Sequence, residues 1–360
     1  MSFQAPDEWL AAQALEHAYA LPAPFYGDRA AADDERVRVF ARSWQLVAHL
    51  AQLSHPGDHV VAEIAAVPVL IVRGDDDVLR GFHNVCRHRA GPIASCNGRA
   101  ARSLVCRYHG WTYALDGSLR GAPEMKDVED FDVSTIRLPE IRVAAWQGLV
   151  FAALGDVPEL GTVLEGIDAR LGDSQLHGYQ FERRVSYEIR CNWKVYVDNF
   201  LEGYHLPIVH PALNRLFDYR SYLTEVAEWH SLQWSPLETA GDTNFYGSGD
   251  ALYYFVYPNT MLNILPGRLQ TNRVVPLDVN RCRVDFDYYY PADDSADGEA
   301  RRACDLEFSD EVQQEDIDIC EAVQRGIDSG SYHAGRLNPK RESGVHHFHE
   351  LYRRAWRRTS

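Results

Sequence analysis

The sequence predicts an α+β protein. A small all-β unit over residues 45–155 is inserted before a helix-on-antiparallel-sheet, helix-grip-like domain over residues 156–360, and residues 1–44 are expected to form N-terminal helices packed on that second domain. Three patterns carry this reading. Between 45 and 155, short β-type runs are separated by Gly, Asp and Pro. Residues 282–290 alternate, which places Val284, Phe286, Tyr288 and Tyr290 on one face of a strand. Residues 308–326 keep a helical period, so the neighbouring strands have a helix to pack against.

Taken in order, residues 8–20 read as a helix because Trp9, Leu10, Ala14, Leu15 and Ala18 share a face. Residues 33–46 read the same way through Val37, Phe40, Ala41 and Trp44. β-type runs then begin at His59, Val67, Leu79, Ser103, Thr112 and Leu149, and Asp116-Gly117 is a strong hairpin-turn signal. A helix is expected over 193–205, with Asn192, Trp193 and Lys194 as structural helix-start residues, and 293–299 reads as an exposed acidic loop. There is no repeat and no low-complexity linker.

A chain of 360 residues with ordinary apolar content can bury a sizeable core. Its net charge of -16 argues against a broad nucleic-acid surface. The basic run Arg353, Arg354, Arg357 and Arg358 reads as a solvated helix end. No apolar stretch is long enough to span a membrane, and no basic segment followed by an apolar one opens the chain. Seven cysteines, an odd number scattered from Cys86 to Cys320, form no disulfide framework and fit a reducing compartment, so a cytoplasmic protein is expected.

The strongest chemical signal is Cys86-Arg-His88, then seventeen residues, then Cys106-Arg-Tyr-His109. Each half supplies one thiolate and one imidazole at the end of an expected strand. Two thiolates on one iron and two neutral imidazoles on the other is the ligand set of a Rieske [2Fe–2S] centre. A Cys2His2 zinc site is the competing reading, but zinc motifs usually group like ligands, whereas each half here mixes them. Gly110, Trp111 and Tyr113 can pack over a cluster, and Cys96 reads as a loop residue rather than a ligand. The run from Phe82 to Gly91, followed by Cys106-Arg-Tyr-His109-Gly-Trp-Thr-Tyr113, resembles the Rieske motif of ring-hydroxylating and N-demethylating oxygenases. Arg107 stands where proline is common in that family.

A second constellation lies between Asn192 and His210. On a helix Asp198, Glu202 and His205 would share a face, and Pro207 would break the helix so that His210 swings back. An O2-activating mononuclear iron needs two imidazoles and a carboxylate. The helix over 308–326 supplies the candidate: Asp316 lies four residues from both Val312 and Cys320 on the apolar side with Val323 and Ile327, whereas Asp318 turns toward solvent. A carboxylate on a buried face must be paired or bind metal. The family resemblance also points to Asp316, through Gln314-Glu-Asp316. His346, His347 and His349 read as packing or surface residues, since neighbouring helical histidines diverge.

The resemblance implies more than the residues alone do. Glu202 stands where the family places a carboxylate that links a Rieske histidine of a neighbouring subunit to the iron site. Electrons would cross from the cluster on His88 or His109, by way of Glu202, to an Fe(II) on His205, His210 and Asp316, where O2 attacks a C–H bond. A head-to-tail contact of this kind closes most simply into a homotrimer. The chain has no convincing flavin, nicotinamide or plant-type ferredoxin motif, so NAD(P)H is expected to act only through a separate flavin and iron–sulfur reductase, with or without a ferredoxin. Glu at 202 and the spacing Asn199-Phe-Leu-Glu-Gly-Tyr-His resemble the quaternary-ammonium (choline, betaine and carnitine-like) monooxygenases. Aromatic-ring mono- or dioxygenation (aromatic hydrocarbon catabolism) is the alternative, and a non-catalytic Rieske electron carrier a further one. The aromatics of residues 245–257 could cage an onium ion or simply pack a sheet.

Overall fold

A computed structural model describes residues 3–172, 176–217, 219–238 and 244–357. The chain divides into two compact units. One is built from Phe40–Leu160, and the other holds the segment up to Val39 and most of the chain beyond Gly161.

In the first unit six antiparallel strands lie in the spatial order Gln45–His49, Leu149–Ala153, Glu140–Trp146, Leu79–His83, Val67–Arg73, His59–Ile64. A second sheet joins Leu104–Val105, Thr112–Tyr113 and Leu119–Gly121. Leu70, Val72, Phe82, Trp111 and Tyr113 form one core cluster, and Cys86 and Cys106 are members of it. Asp116-Gly117 makes the turn between the last two short strands: Asp116 accepts the Ser118 N–H at 2.9 Å, and Gly117 adopts φ +82°. A Cβ there would meet the Phe82 ring at 2.5 Å, so both the backbone and the packing require glycine.

The second unit is a seven-stranded antiparallel sheet in the order Gln180–Ile189, Arg281–Tyr290, Arg268–Asp278, Thr260–Leu265, Asp250–Val256, His230–Pro236, Leu223–Val226. Val284, Phe286, Tyr288 and Tyr290 are all buried. The intervening Asp285 and Asp287 are buried too, rather than facing water. Arg184 grips Asp287 at 2.6 Å, while Arg273 and Arg283 reach Asp285. The helix behind the 308–326 pattern runs from Ala296 to Asp328, capped by Ser295, so most of the expected acidic loop is its first turn.

Several expected elements differ. Residues 8–20 form only the short helices Asp7–Leu10 and Leu15–His17. The chain between and beyond them is extended because its backbone pairs elsewhere: Ala20 N–H donates to Gly335, and Leu337 N–H to Ala18. Helical periodicity there is too weak to outbid this tertiary pairing. In place of a 33–46 helix, Asp28 caps Arg29–Arg38, Phe40–Arg42 adds one tight turn, and Gln45 already opens a strand. The basic terminus is not a solvated helix end. Arg353 is fully buried and donates to the carbonyls of Trp9 and Tyr19, Arg357 donates to Leu10, and Arg354 lies over the Trp229 ring. Arg358 lies outside the described residues. No helix among the described residues is long and apolar enough to cross a membrane.

Asn192 caps the helix Trp193–Phe200, its side chain accepting the Lys194 N–H at 3.0 Å. Inside it, Lys194 and Glu35 form a fully buried ion pair at 2.5 Å, and Glu35 also accepts from Trp193 Nε1 and Tyr352 Oη. This network ties the Arg29–Arg38 helix and the Ser343–Arg357 helix to the segment that leads into the candidate site.

Candidate metal centres

In the first unit two loops repeat one design. Cys86 N–H donates to Gly91 O while Ala90 N–H returns to Cys86 O, and Cys106 pairs with Trp111 and Gly110 in the same way. Each loop needs a left-handed residue at its fourth position after the cysteine, met by Ala90 (φ 56°) and Gly110 (φ 72°). The result buries both thiols side by side and brings the His88 and His109 rings to 4.6 Å, edge to face. His88 stacks on Trp111 at 4.9 Å. Burial and the neighbouring Cys86 raise the Cys106 pKa, so two thiolates here call for a positive centre. The His88 Nδ1 is buried with no hydrogen-bond partner, as an imidazole nitrogen reserved for a metal would be. Tyr113 accepts the Arg87 N–H at 3.0 Å and so directs its hydroxyl proton at Cys86 Sγ, 3.3 Å away, a contact that tunes a cluster's potential. This donor set fits a Rieske cluster. Cys96 is exposed.

In the second unit His205, His210 and Asp316 bring one ligand atom each within 4.8 Å of one another. Asp198, Glu202 and His205 do not share one helix as the 193–205 pattern suggested. The Trp193–Phe200 helix stops before Gly203, where a Cβ would meet the Tyr222 ring at 2.6 Å. Glu202 caps the break by accepting the N–H groups of Tyr204 and His205. Pro207 then sits in the first turn of a new helix, Leu206–Val209, where a missing N–H costs nothing, instead of ending an old one. Asp198 is engaged by other partners, accepting from Tyr26 Oη at 2.6 Å and facing His349 Nε2 at 2.9 Å. His349 is therefore a core residue, and His346 bonds the Gln13 carbonyl.

Both imidazoles are aimed by carboxylates. His205 Nδ1 lies 2.6 Å from Glu202, and His210 Nδ1 lies 2.7 Å from Glu315. Each Nε2 is thereby left as the donor atom, the arrangement that orients metal-binding histidines. His210 Nε2 lies 2.9 Å from Asp316, and Asn199 donates to Asp316 at 2.5 Å. Burial alone would lower the His210 pKa, but Asp316 and Glu315 raise it. Three carboxylates around two imidazoles fit a divalent cation, and the donor types fit non-haem iron. Glu315 was not anticipated. Adjacent helical residues diverge by about 100°, so sequence reasoning admits only one of Glu315 and Asp316 to a given site, yet here they reach opposite nitrogens of one ring. Asp318 is exposed and accepts from Gln314. The apolar stripe expected beside Asp316 is buried only in part. The buried residues of this helix are mostly polar, Asp305, Ser309, Gln313 and Gln324, while Val323 is 44% exposed.

A cavity of about 110 Å³ opens onto the three residues. Phe217, Tyr222, Tyr246, Tyr253 and Phe308 give it aromatic walls, and Gln233, Asn263, Arg268, Gln270 and Asn272 a polar side. Of the aromatics of 245–257, Tyr246 and Tyr253 line this cavity, whereas Tyr254, on the opposite face of its strand, packs on His230 and Phe255, further along, on Phe348.

Comparison with known proteins gives two family matches. Residues 176–357 match the catalytic domain of the ring hydroxylating alpha subunit, and residues 43–132 match the Rieske [2Fe-2S] domain. The chain is 38% identical to the chloroplastic choline monooxygenase of Arabidopsis thaliana, over 94% of this chain and 83% of that protein. It is 30% identical to the carnitine monooxygenase oxygenase subunit of Escherichia coli (strain K12), over 93% of each. A solved quaternary ammonium Rieske monooxygenase superposes with a TM-score of 0.87 at 27% identity, covering 99% of this chain and 100% of that one.

Proposed function

Because the chain belongs to the Rieske ring-hydroxylating oxygenases, as an oxygenase (alpha) subunit, we propose that it hydroxylates a small quaternary ammonium compound, using O2 and electrons from a separate NAD(P)H-dependent reductase. The cofactors of this family are a Rieske [2Fe–2S] cluster and a mononuclear iron. Cys86, His88, Cys106 and His109 would hold the first, and His205, His210 and Asp316 the second. The cluster supplies electrons one at a time, and the iron supplies O2 activation beside the substrate.

The protein's own part is positioning. Glu202 and Glu315 fix the tautomer and direction of both imidazoles, and Asn199 holds the Asp316 carboxylate in place. The aromatic walls exclude water and orient the substrate. Glu202 also lines a second cavity with Asp198 and His205, which supports a further role as the bridge to His88 or His109 of a neighbouring copy in a homotrimer.

The observation that carries the substrate class is the set of aromatic faces, Tyr246, Tyr253, Phe217 and Tyr222, beside the candidate iron ligands. Aromatic faces attract a desolvated onium ion. Asn263, whose side-chain oxygen is buried without a hydrogen-bond partner, favours a substrate with a polar group, because an aromatic hydrocarbon would leave that oxygen unpaired. A pure electron carrier has no use for the second centre. Binding tests this directly. Tyr253→Leu should weaken choline, glycine betaine or carnitine by about 2 kcal/mol, roughly 30-fold. It should weaken an uncharged tert-butyl isostere far less. Equal losses for the charged and neutral ligands would remove the onium reading.

A further inference from the structure

Three buried cysteines meet in the second unit, outside the ligand set: Cys191, Cys282 and Cys320 are 0%, 0% and 1% exposed. Cys191 follows the Gln180–Ile189 strand and is pinned from both sides. Arg190 N–H donates to Glu321 at 3.1 Å and Asn192 N–H donates to Gln324 at 2.8 Å. Those acceptors follow Cys320 on the same helix, one and four residues on, so Cys191 is held against that turn. The Cys191 and Cys282 sulfurs are 3.9 Å apart, and Cys320 also hydrogen-bonds Cys191. The two donated S–H bonds, from Cys282 and Cys320, bring the Cys191 thiol down to about 5, although burial opposes this.

The three differ in access. Cys282 is sealed within the sheet, paired with Pro276 on one side and Ile189 on the other. Cys320 lines a cavity of about 650 Å³ whose walls include Glu202 and His205. A small oxidant entering that cavity, or formed where O2 meets electrons without substrate, therefore meets Cys320 first. Cys191 stands directly behind it.

We propose that Cys320 and Cys191 form an oxidative modification site, in which hydrogen peroxide converts Cys320 to a sulfenic acid and Cys191 closes it to a disulfide. In the first step Cys191 takes the proton of the Cys320 thiol, the Cys320 sulfur attacks peroxide, the O–O bond breaks, and the leaving oxygen departs as water with that proton. In the second the Cys191 thiolate attacks the Cys320 sulfur, the S–O bond breaks, and the departing hydroxide takes back from solvent the proton that Cys191 released on ionising, leaving as a second water. The two thiols lose two electrons and two protons, and peroxide is reduced to two waters. Cys282 acts as a positioning residue that keeps Cys191 ionised. Because Cys320 is one helical turn from Asp316, the bond would form next to the iron-ligand segment. The inference rests on the thiol geometry and holds whatever the substrate is.

The test is peptide mapping of the reduced holoenzyme, with exposed Cys96 and Cys304 alkylated under native conditions before hydrogen peroxide is added. The expected product is a Cys191–Cys320 cross-linked peptide that dithiothreitol reverses. In Cys191→Ser the cross-link should be lost, and Cys320 should be captured by dimedone or pass to the irreversible sulfinic acid. Cys282→Ala should keep the cross-link but form it more slowly. A Cys191–Cys282 bond in the wild type, or Cys320 left free after the cavity is exposed to peroxide, would overturn the proposal. The wild-type map decides this even where a variant fails to fold.

Discussion

Asp316→Ala should strip the mononuclear iron from the protein and leave the Rieske spectrum intact. Among the described residues, Asp316 is the carboxylate whose oxygen converges with both imidazoles, 2.9 Å from His210 Nε2 and within 4.8 Å of the His205 donor. Removing a residue that merely supports a metal ligand costs 10–100-fold. Loss of the ligand itself should therefore lower turnover by more than about 100-fold. Metal analysis should fall from three irons to two per chain, with acid-labile sulfide unchanged. Asp318→Ala, at an exposed position where the carboxylate accepts from Gln314, should behave as wild type. The reverse outcome would mean that the helix face has been assigned wrongly. Stoichiometric zinc in the wild type would contradict the cluster assignment.

The second large effect concerns stability. Glu35→Ala leaves the Lys194 ammonium fully buried without its counter-ion. Breaking one side of such a pair costs about 3–5 kcal/mol. For a unit of this size that lowers the melting temperature by on the order of 10 °C. The double variant Glu35→Leu/Lys194→Met removes both charges and should recover much of the loss, since well-packed apolar replacements of a buried pair are often neutral. Calorimetry on the single and double variants checks both statements. If Glu35→Ala melts with the wild type, the pair is not sealed from water as described.

The parts of the fold that could be read from the sequence are those governed by local chemistry. The cysteine and histidine spacing, the Asp116-Gly117 turn and the alternation of Val284 to Tyr290 all follow from short-range rules. The parts that could not be read depend on distant partners. Residues 8–20 have a helical pattern, but the carbonyls of Trp9 and Tyr19 are claimed by Arg353, more than three hundred residues away. Arg353 looks like a solvated end residue until that contact is known. Asp285 and Asp287 look like the wet side of a strand until Arg184, Arg273 and Arg283 are placed against them. The candidate iron site shows both cases. His205, His210 and Asp316 were readable, although the single helix supposed to carry His205 ends before it. Glu315 and Asn199 were not, because the groups they orient are brought to them only by the folded chain.

Turnover with isotopically labelled O2 separates an onium-oxidising oxygenase from one that acts on aromatic substrates. Purified chain, loaded with iron and reduced through a surrogate reductase, is screened against choline, glycine betaine, carnitine and a panel of aromatic acids. NADH consumption should be triggered by a quaternary ammonium compound, with one labelled oxygen in its hydroxylated product or in the aldehyde released when a C–N bond is cleaved. Labelled product from the aromatic acids alone, with the onium compounds inert, would contradict the onium reading.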